Sequence, residues 1–579
     1  LTTAPPAAPL FSSVSSLIGH GHPEAPFHDW ARQPLLPRRL SRLGPGVSWY
    51  DVNGDGWEDL LVGSGRGGRL AVYVNNEGRG FRRLDGTAEA AGDQGTILGW
   101  ADGQGNRHVL IAMSNYELPA PAPSQVLVLT AANLAGTEQL TAGTTSLGPM
   151  ALADIDGDGD LDLFAGGYCD PGRYPMPASS AIWRNDQGKL VPGGSLNDPF
   201  RGIGLVRGAT FADLDGDTDP DLALATEWGP VRVFQNEGGS FRDVTAPGGF
   251  AGLTGWWTSV VAGDFDGDGR VDLACGNWGR NSIYALYRPT TLRVFHGDWN
   301  GDNVVESIEA WQRGGSWLPV RDRTWLARGW PDLVDRFPTH MAFGNATLSE
   351  ILPPGHENSA YLEASHLAST VFLNRGTAFE AVPLPRESQV APVFAVNVGD
   401  FDGDGREDLF LSQNFFGTTS DLTRDDGGRG VWLRGKGNGR FEAVDGSVTG
   451  IKVLGEQRGA ALADFDHDGR VDVAVSQNRA ATRLYANRGG KPGLRVVLRG
   501  PAVNPDGVGA QIRVVYAGAR LGPARIVQAG SGYWSQDAAA QVLGLQEKPV
   551  ALSIRWPGGQ EQTLPVNERE WTLQIDFKP

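Results

Sequence analysis

Apolar residues fall in short runs along this chain, each closed by a turn rich in Asp and Gly. TSVVAGD at 258–264, LDLFAGG at 161–167 and VDLACGN at 271–277 are examples. Runs this short, bounded by turn residues, predict strands rather than helices. Two regions depart from the pattern. Between 316 and 354 the spacing of Trp325, Leu326, Trp330, Leu333 and Phe337 predicts one or two short helices. From about residue 491, KPGLRVVLRG, AQIRVVYAG, ARIVQAG and VALSIRWPGG read as alternating strands of a separate small β domain.

The turns between the strands repeat one acidic motif six times, at 51–59, 154–162, 213–221, 264–272, 400–408 and 464–472. Each places oxygen-bearing side chains at loop positions 1, 3, 5 and 9. These are Asp51, Asn53, Asp55 and Asp59; Asp154, Asp156, Asp158 and Asp162; and Asp213, Asp215, Asp217 and Asp221. The other three sets are Asp264, Asp266, Asp268 and Asp272; Asp400, Asp402, Asp404 and Asp408; and Asp464, Asp466, Asp468 and Asp472. A hard cation such as Ca2+ takes six to eight oxygens at about 2.3–2.6 Å, so alternating carboxylates on a curled loop predict calcium. A sixth-position glycine permits the curl, and Thr218 replaces it in the third copy. No bidentate Glu stands at position 12 and no helices flank the loops, so these are strand–turn–strand sites rather than EF-hands.

Two weaker copies extend the series. Asp298, Asn300, Asp302 and Glu306 form a seventh candidate site, with Asn303 at the sixth position. The segment 101–110 keeps Asp102 and Asn106 but has Leu110 at the ninth position, which predicts strands without an ion. Six or seven Ca2+ ions are therefore expected. The starts are spaced mostly 51–64 residues apart, which predicts an all-β fold: a seven- or eight-bladed β-propeller with calcium-binding hairpins, a partly helical insertion and a small C-terminal β domain. The corresponding boundaries are an N-terminal extension over 1–42, a propeller over 43–490 with an insertion at about 307–368, and the β domain over 491–579. Strings such as VYVNNEGRGF at 72–81 and VFQNEGGSF at 233–241 close many units. Their Asn-Gly hairpins are expected to supply positive φ at the blade edge.

Net charge is −17, and the six motifs hold 25 of the Asp residues, so six divalent ions would leave −5. Much of the acidity is thus a ligand inventory, and with no basic run the chain is not a nucleic-acid binder. No apolar run reaches 18 residues, which excludes a spanning helix. Cys169 and Cys275 could form one disulfide or remain free thiols. The opening LTTAPPAAPLF reads as the tail behind a removed signal peptide or an upstream lipid anchor. Together with modest-affinity calcium loops, it predicts an extracytoplasmic location: periplasm, cell surface or secreted.

The C-terminal strings add a resemblance. Gly507 to Ala510, Val527 to Gln536 and Arg555 to Gly558 resemble the hallmark elements of the ASPIC/UnbV domain, and the upstream chain resembles the FG-GAP/VCBS repeats of bacterial proteins and of the cartilage acidic protein family. The resemblance covers about nine-tenths of the chain; it departs at the degenerate second site, the third loop and Gln528. It implies calcium binding, extracytoplasmic location and recognition of a protein or glycan, and it implies no catalytic residue. Sequence leaves the oligomeric state open.

The function expected is therefore a calcium-stabilised binding scaffold. A hydrolase or lyase could instead use an acid–histidine pocket near the insertion, from His296, His340, His356 and His366 with Asp322, Asp332 and Glu357. A subunit of an envelope complex is the third reading.

Overall fold

The computed structural model describes residues 8–84, 88–119, 121–287, 290–356, 358–567 and 571–578. It is a mostly β, multi-sheet structure with a few short helices and acidic loops. Seven sheets, each built on four antiparallel strands, follow one another along the chain, and the first and fourth each gain a fifth short strand, Ser535–Gln536 and Gly255–Trp256. Their leading strands are Val47–Tyr50, Gln94–Ala101, Ser146–Ala153, Leu205–Ala212, Ser259–Gly263, Val393–Gly399 and Gln457–Ala463. All seven are buried along their length, apart from one intermediate residue in the sixth. Each packs against the leading strand of the next sheet, and Gln457–Ala463 packs against Val47–Tyr50.

Close packing at these strands selects small residues. A Cβ on Gly148 would lie 2.5 Å from the Trp534 ring, and one on Gly208 would lie 2.8 Å from Ser259 Cα. Both approaches are shorter than atoms tolerate, so only glycine fits there.

The chain termini depart from the expected boundaries. Phe11–Ser13 pairs with Arg483–Asn487 as the fourth strand of the seventh sheet, so part of the segment expected as an extension belongs to the sheets. Residues 29–43 then bury Leu36, Leu40 and Leu43 in the main hydrophobic cluster. The Arg38 guanidinium lies over Trp256 and Trp278, 4.7 and 4.4 Å from the ring centroids, and pairs with buried Glu227.

The fifth sheet is interrupted. Asp272–Gly276 pairs with Thr370–Asn374, and the whole stretch from 277 to 369 lies between them in sequence. That stretch carries an eighth four-stranded sheet, whose strands are Leu292–Gly297, Glu306–Arg313, Ser316–Pro319 and Ala360–Ala364. It also carries four short helices, which bury Trp325, Leu326, Trp330, Leu333 and Phe343 against Trp299 and Phe295. Most of the tryptophans of this stretch therefore fill its own core. The interruption begins some thirty residues before the boundary read from sequence, because the pairing partner of Asp272–Gly276 arrives only at Thr370.

Beyond residue 491 lie a three-stranded and a four-stranded sheet around a core that includes Leu498, Ile512, Val514, Leu552, Ile554 and Trp556. Cys169 and Cys275 are both buried free thiols. No helix among the described residues is long and apolar enough to cross a membrane.

Candidate metal centres

Each acidic loop joins the first two strands of its sheet, and its first carboxylate holds the turn. In the first loop Asp51 Oδ1 accepts from Gly54 N at 2.7 Å and Oδ2 from Gly56 N at 2.9 Å. The same pair of bonds recurs at Asp154, Asp264, Asp400 and Asp298, where Asn303 N replaces the glycine. The sixth position has positive φ throughout: 86° at Gly56, 65° at Asn303 and 84° at Thr218. A β-branched residue there is strained, because its Cβ crowds the backbone in the left-handed region.

The ninth carboxylate does two jobs. In every repeat loop one oxygen accepts from the position-2 amide, as Asp221 Oδ2 does from Leu214 N at 2.9 Å. The other accepts from the last residue of the third strand, as Asp221 Oδ1 does from Asn236 N at 2.8 Å. These aspartates are buried, at 0–2 % exposure. The closing asparagine in turn reaches the neighbouring sheet, with Asn236 Nδ2 on Ile155 O at 2.8 Å and Asn374 Nδ2 on Leu214 O at 2.6 Å. The glycines of these hairpins, Gly78, Gly239 and Gly376, carry the expected positive φ, and the Asn has a further role as a stitch between sheets.

Several of the loops bring their carboxylates together. Single oxygens of Asp154, Asp156 and Asp158 lie within 4.8 Å of one another, as do those of Asp213, Asp215 and Asp221; of Asp264, Asp266 and Asp272; and of Asp400, Asp402 and Asp404. These clusters could hold divalent cations. The donor set fits, because Oδ1 of Asp156, Asp402, Asp464 and Asp466 is buried without a hydrogen-bond partner, and such oxygens are costly unless something positive meets them. Burial pushes Asp154 and Asp264 up to about 6 and Asp59, Asp162, Asp221, Asp272, Asp400 and Asp464 up to about 7. Arginines meet some outer oxygens, with Arg434 2.6 Å from Asp402, Arg488 2.6 Å from Asp466 and Arg375 2.6 Å from Asp266. In the degenerate copy Asp102 is spent on protein donors: Asn106 Nδ2 at 2.7 Å, Gln104 N at 2.8 Å and His108 Nε2 at 3.3 Å.

The C-terminal domain rests on these loops. Ala524 N donates to Asp264 Oδ2 at 2.9 Å, Arg555 lies 2.7 Å from Asp213, and Gln546 Nε2 donates to Gly405 O at 2.8 Å. Gly493 N donates to Gly469 O at 2.8 Å, Arg495 lies 2.9 Å from Glu58 and 3.6 Å from Asp464, and buried Arg525 pairs with Glu407 beside the 400–408 loop.

Its loop 528–537 enters between the leading strands and touches all seven. Ser535–Gln536 pairs in parallel with Val47–Ser48, and Gln536 Oε1 accepts from Gly99 N. Leu152 N donates to Ala529 O, Trp534 Nε1 to Arg207 O and Gly532 N to Val260 O. Asp537 Oδ1 accepts from Asn397 Nδ2 and Leu462 N. The Val527 to Gln536 run that carries the resemblance is thus a common partner of the seven sheets, and Gln528, a departure by sequence, bonds Thr210 and Ala262 O.

Among the described residues the acid–histidine set does not converge in this way. Asp322 caps a helix at Trp325 N, and His340 and Asp332 are exposed on the insertion. His296 is buried, which lowers its pKa; His366 stacks on Trp257 and bonds Thr370. Glu357 lies outside the described residues.

Residues 154–224 and 213–275 match the FG-GAP-like repeat family, and residues 500–576 match the ASPIC and UnbV family. The chain is similar to cartilage acidic protein 1. Identity to the Mus musculus protein is 22% over 64% of this chain and 45% of the relative; to the Xenopus tropicalis protein it is 21% over 93% and 74%. The match thus spans less than half of the mouse relative's length. Among solved structures, BBS1N in complex with ARL6DN aligns with a TM-score of 0.40 and 9% identity, covering 83% of this chain and 98% of that one.

Proposed function

We propose that this protein is a calcium-stabilised binding scaffold that works outside the cytoplasm, with its seven sheets closed as a seven-bladed β-propeller. The observation that carries the reading is the seating of the C-terminal domain on the acidic loops. Residues from four of its segments contact loops of the first and of the fourth to seventh sheets, while one inserted loop bonds all seven leading strands. Supporting closure, the seventh leading strand packs on the first, and Phe11–Ser13 supplies the last strand of the seventh sheet from the other end of the chain.

In this reading Asp and Asn at loop positions 1, 3 and 5, with the carboxylate at position 9, hold the ion. Bound calcium supplies positive charge to carboxylates that burial leaves under-compensated. The chain's own residues do the rest: the first aspartate curls the loop, the ninth ties it to the third strand, and Arg525, Arg555 and Arg495 seat the terminal domain. Modest-affinity loops fill at extracellular calcium levels, which supports the extracytoplasmic placement, as does the similarity to cartilage acidic protein 1.

The recognising surface is assigned to the eighth sheet. There Arg293 lies 4.4 Å from the Trp317 ring and 3.8 Å from that of Tyr361, with both rings at least partly exposed on the two edge strands of the sheet. Aromatic rings flanking an arginine suit a protein or glycan partner.

Limited proteolysis with and without a calcium chelator tests the scaffold reading. Calcium is expected to protect the junction near residue 491 and to raise the melting temperature. Identical cleavage and melting in both conditions would reject it.

A further inference from the structure

The sequence repeats do not account for every acidic cluster. Glu24, Asp93 and Glu117 come from three separate segments, yet single oxygens of the three lie within 4.8 Å of one another. Glu24 sits on the N-terminal arm. Asp93 precedes the leading strand of the second sheet and Glu117 follows that sheet's second strand. Asp93 and Glu117 are each 5 % exposed.

Nearby Asp29 shows how the chain satisfies a buried carboxylate with protein donors alone. It accepts from Leu40 N at 2.8 Å, Ser41 N at 2.9 Å and Ser41 Oγ at 2.7 Å. The three-residue cluster has fewer donors. Asp93 Oδ1 accepts from Arg66 N at 3.1 Å, Glu24 Oε2 from Asn478 Nδ2 at 3.3 Å, and Glu117 Oε2 lies 2.7 Å from Arg66 Nε. Glu24 Oε1 and Glu117 Oε1 are buried with no hydrogen-bond partner.

A separate observation points the same way. Asn478, from the seventh sheet's side, is 3 % exposed and lies against Glu24, and its Oδ1 also has no partner. Its Nδ2 also donates to Gly44 O at 3.0 Å, so the carboxamide is held with its nitrogen towards Glu24 and its lone oxygen buried beside the cluster. Three carboxylates form an all-oxygen donor set, the preference of a hard divalent cation. Arg66 offsets one of the three negative charges.

We infer that Glu24, Asp93 and Glu117, beside Asn478, form a divalent-cation site outside the acidic repeats that staples the N-terminal arm to the first, second and seventh sheets. Gly65 of the first sheet completes the wall, since a Cβ there would lie 2.6 Å from Glu24 Oε2. Burial pushes Glu24 up to about 8 and Glu117 up to about 7, as expected for carboxyls lacking counter-charge. The site uses no residue of the acidic repeat loops, so it stands or falls independently of the repeat sites.

The test is elemental analysis of the full chain after dialysis against calcium, comparing wild type with Glu24→Gln and Asp93→Asn. Each variant is expected to hold one ion fewer per chain. In calcium the arm of Glu24→Gln should be cleaved by trypsin several-fold faster, while the acidic loops keep their calcium-induced rise in melting temperature. Glu24 is the least buried of the three, so its variant reports even where Asp93→Asn fails to fold. An unchanged ion count in folded Glu24→Gln would overturn the site and leave a proton-sharing carboxyl cluster in its place.

Discussion

The carboxamide nitrogen of Asn75 donates to the carbonyl oxygen of Phe465 at 2.8 Å, joining the first sheet to an acidic loop of the seventh across 390 residues. Asn487 Nδ2 makes the corresponding bond to Phe401 O at 2.8 Å, and Asn374 to Leu214 O. In each case the Asn of one sheet bonds the second loop residue of the sheet before it. The Asn75–Phe465 contact carries the series from the last sheet to the first.

Asn75→Ala should therefore do more than remove a turn residue. Asn75 is 3 % exposed, and its side chain also donates to Glu58 O and accepts from Gly78 N, so its loss leaves buried groups unpaired. A cost of about 2–4 kcal/mol is expected, read as a lower denaturation midpoint. A change within about 0.5 kcal/mol would show that the stitch is redundant.

Asp156→Asn isolates the cation contribution, because Asp156 Oδ1 is buried without a partner. With calcium in large excess the substitution should lower stability by about 1–3 kcal/mol, the linkage expected when one ion is lost. In chelator the variant should match wild type or exceed it, since a repelled charge has gone. Equal losses in both conditions, followed by thermal melting, would reject ion binding at this loop.

The raised carboxyls set a pH dependence. Asp59, Asp162, Asp221 and Asp272 are pushed up to about 7 from 3.8, so between roughly pH 4 and pH 7 the folded chain holds more protons than the unfolded one. Stability that is present below pH 4 is then lost as pH rises towards 7. In chelator the melting temperature should fall across that window, and calcium should flatten or reverse the slope by replacing the protons. Parallel slopes with and without calcium would contradict the linkage.

Thr218→Gly should be stabilising. Thr218 holds φ at 84°, where Gly56, Gly269 and Gly405 stand in the other loops at 86°, 91° and 80°. Relief of about 1 kcal/mol is expected, together with tighter calcium binding at the third loop by calorimetry. A loss of stability would mean that packing of Thr218 beside Gly559 of the C-terminal domain, where an added Cβ would lie 3.1 Å from Thr218 Cγ2, outweighs the strain.

Arg525→Ala leaves Glu407 buried without its partner, the two side chains being 9% and 4% exposed. Breaking a buried pair of this kind costs about 3–5 kcal/mol. The C-terminal domain is expected to melt separately in calorimetry, with cleavage near residue 491 under native conditions. A single unshifted transition would place the docking energy elsewhere.

Much of the local design was legible because it depends on residues close together in sequence. Positions 1, 3 and 5 of each loop are two apart, so a turn with positive φ at position 6 brings them round one centre, as at Asp154, Asp156 and Asp158 and at Asp400, Asp402 and Asp404. The short strands and the helical character of the insertion follow from equally local spacing. The second role of position 9 was not legible. Asp221 meets Asn236 through a backbone amide, and any residue type supplies one, as Gly435 does for Asp408.

The sequence by itself determined the strands, the acidic loops and the residues gathered in each, since turn geometry and charge act over a few residues. Only the tertiary structure decided what the loops support. The contacts of Asn75 with Phe465, of Ala524 with Asp264 and of Glu24 with Asp93 and Glu117 join segments 69 to 390 residues apart. They depend on backbone groups and shared burial, which leave no spacing in the chain to read.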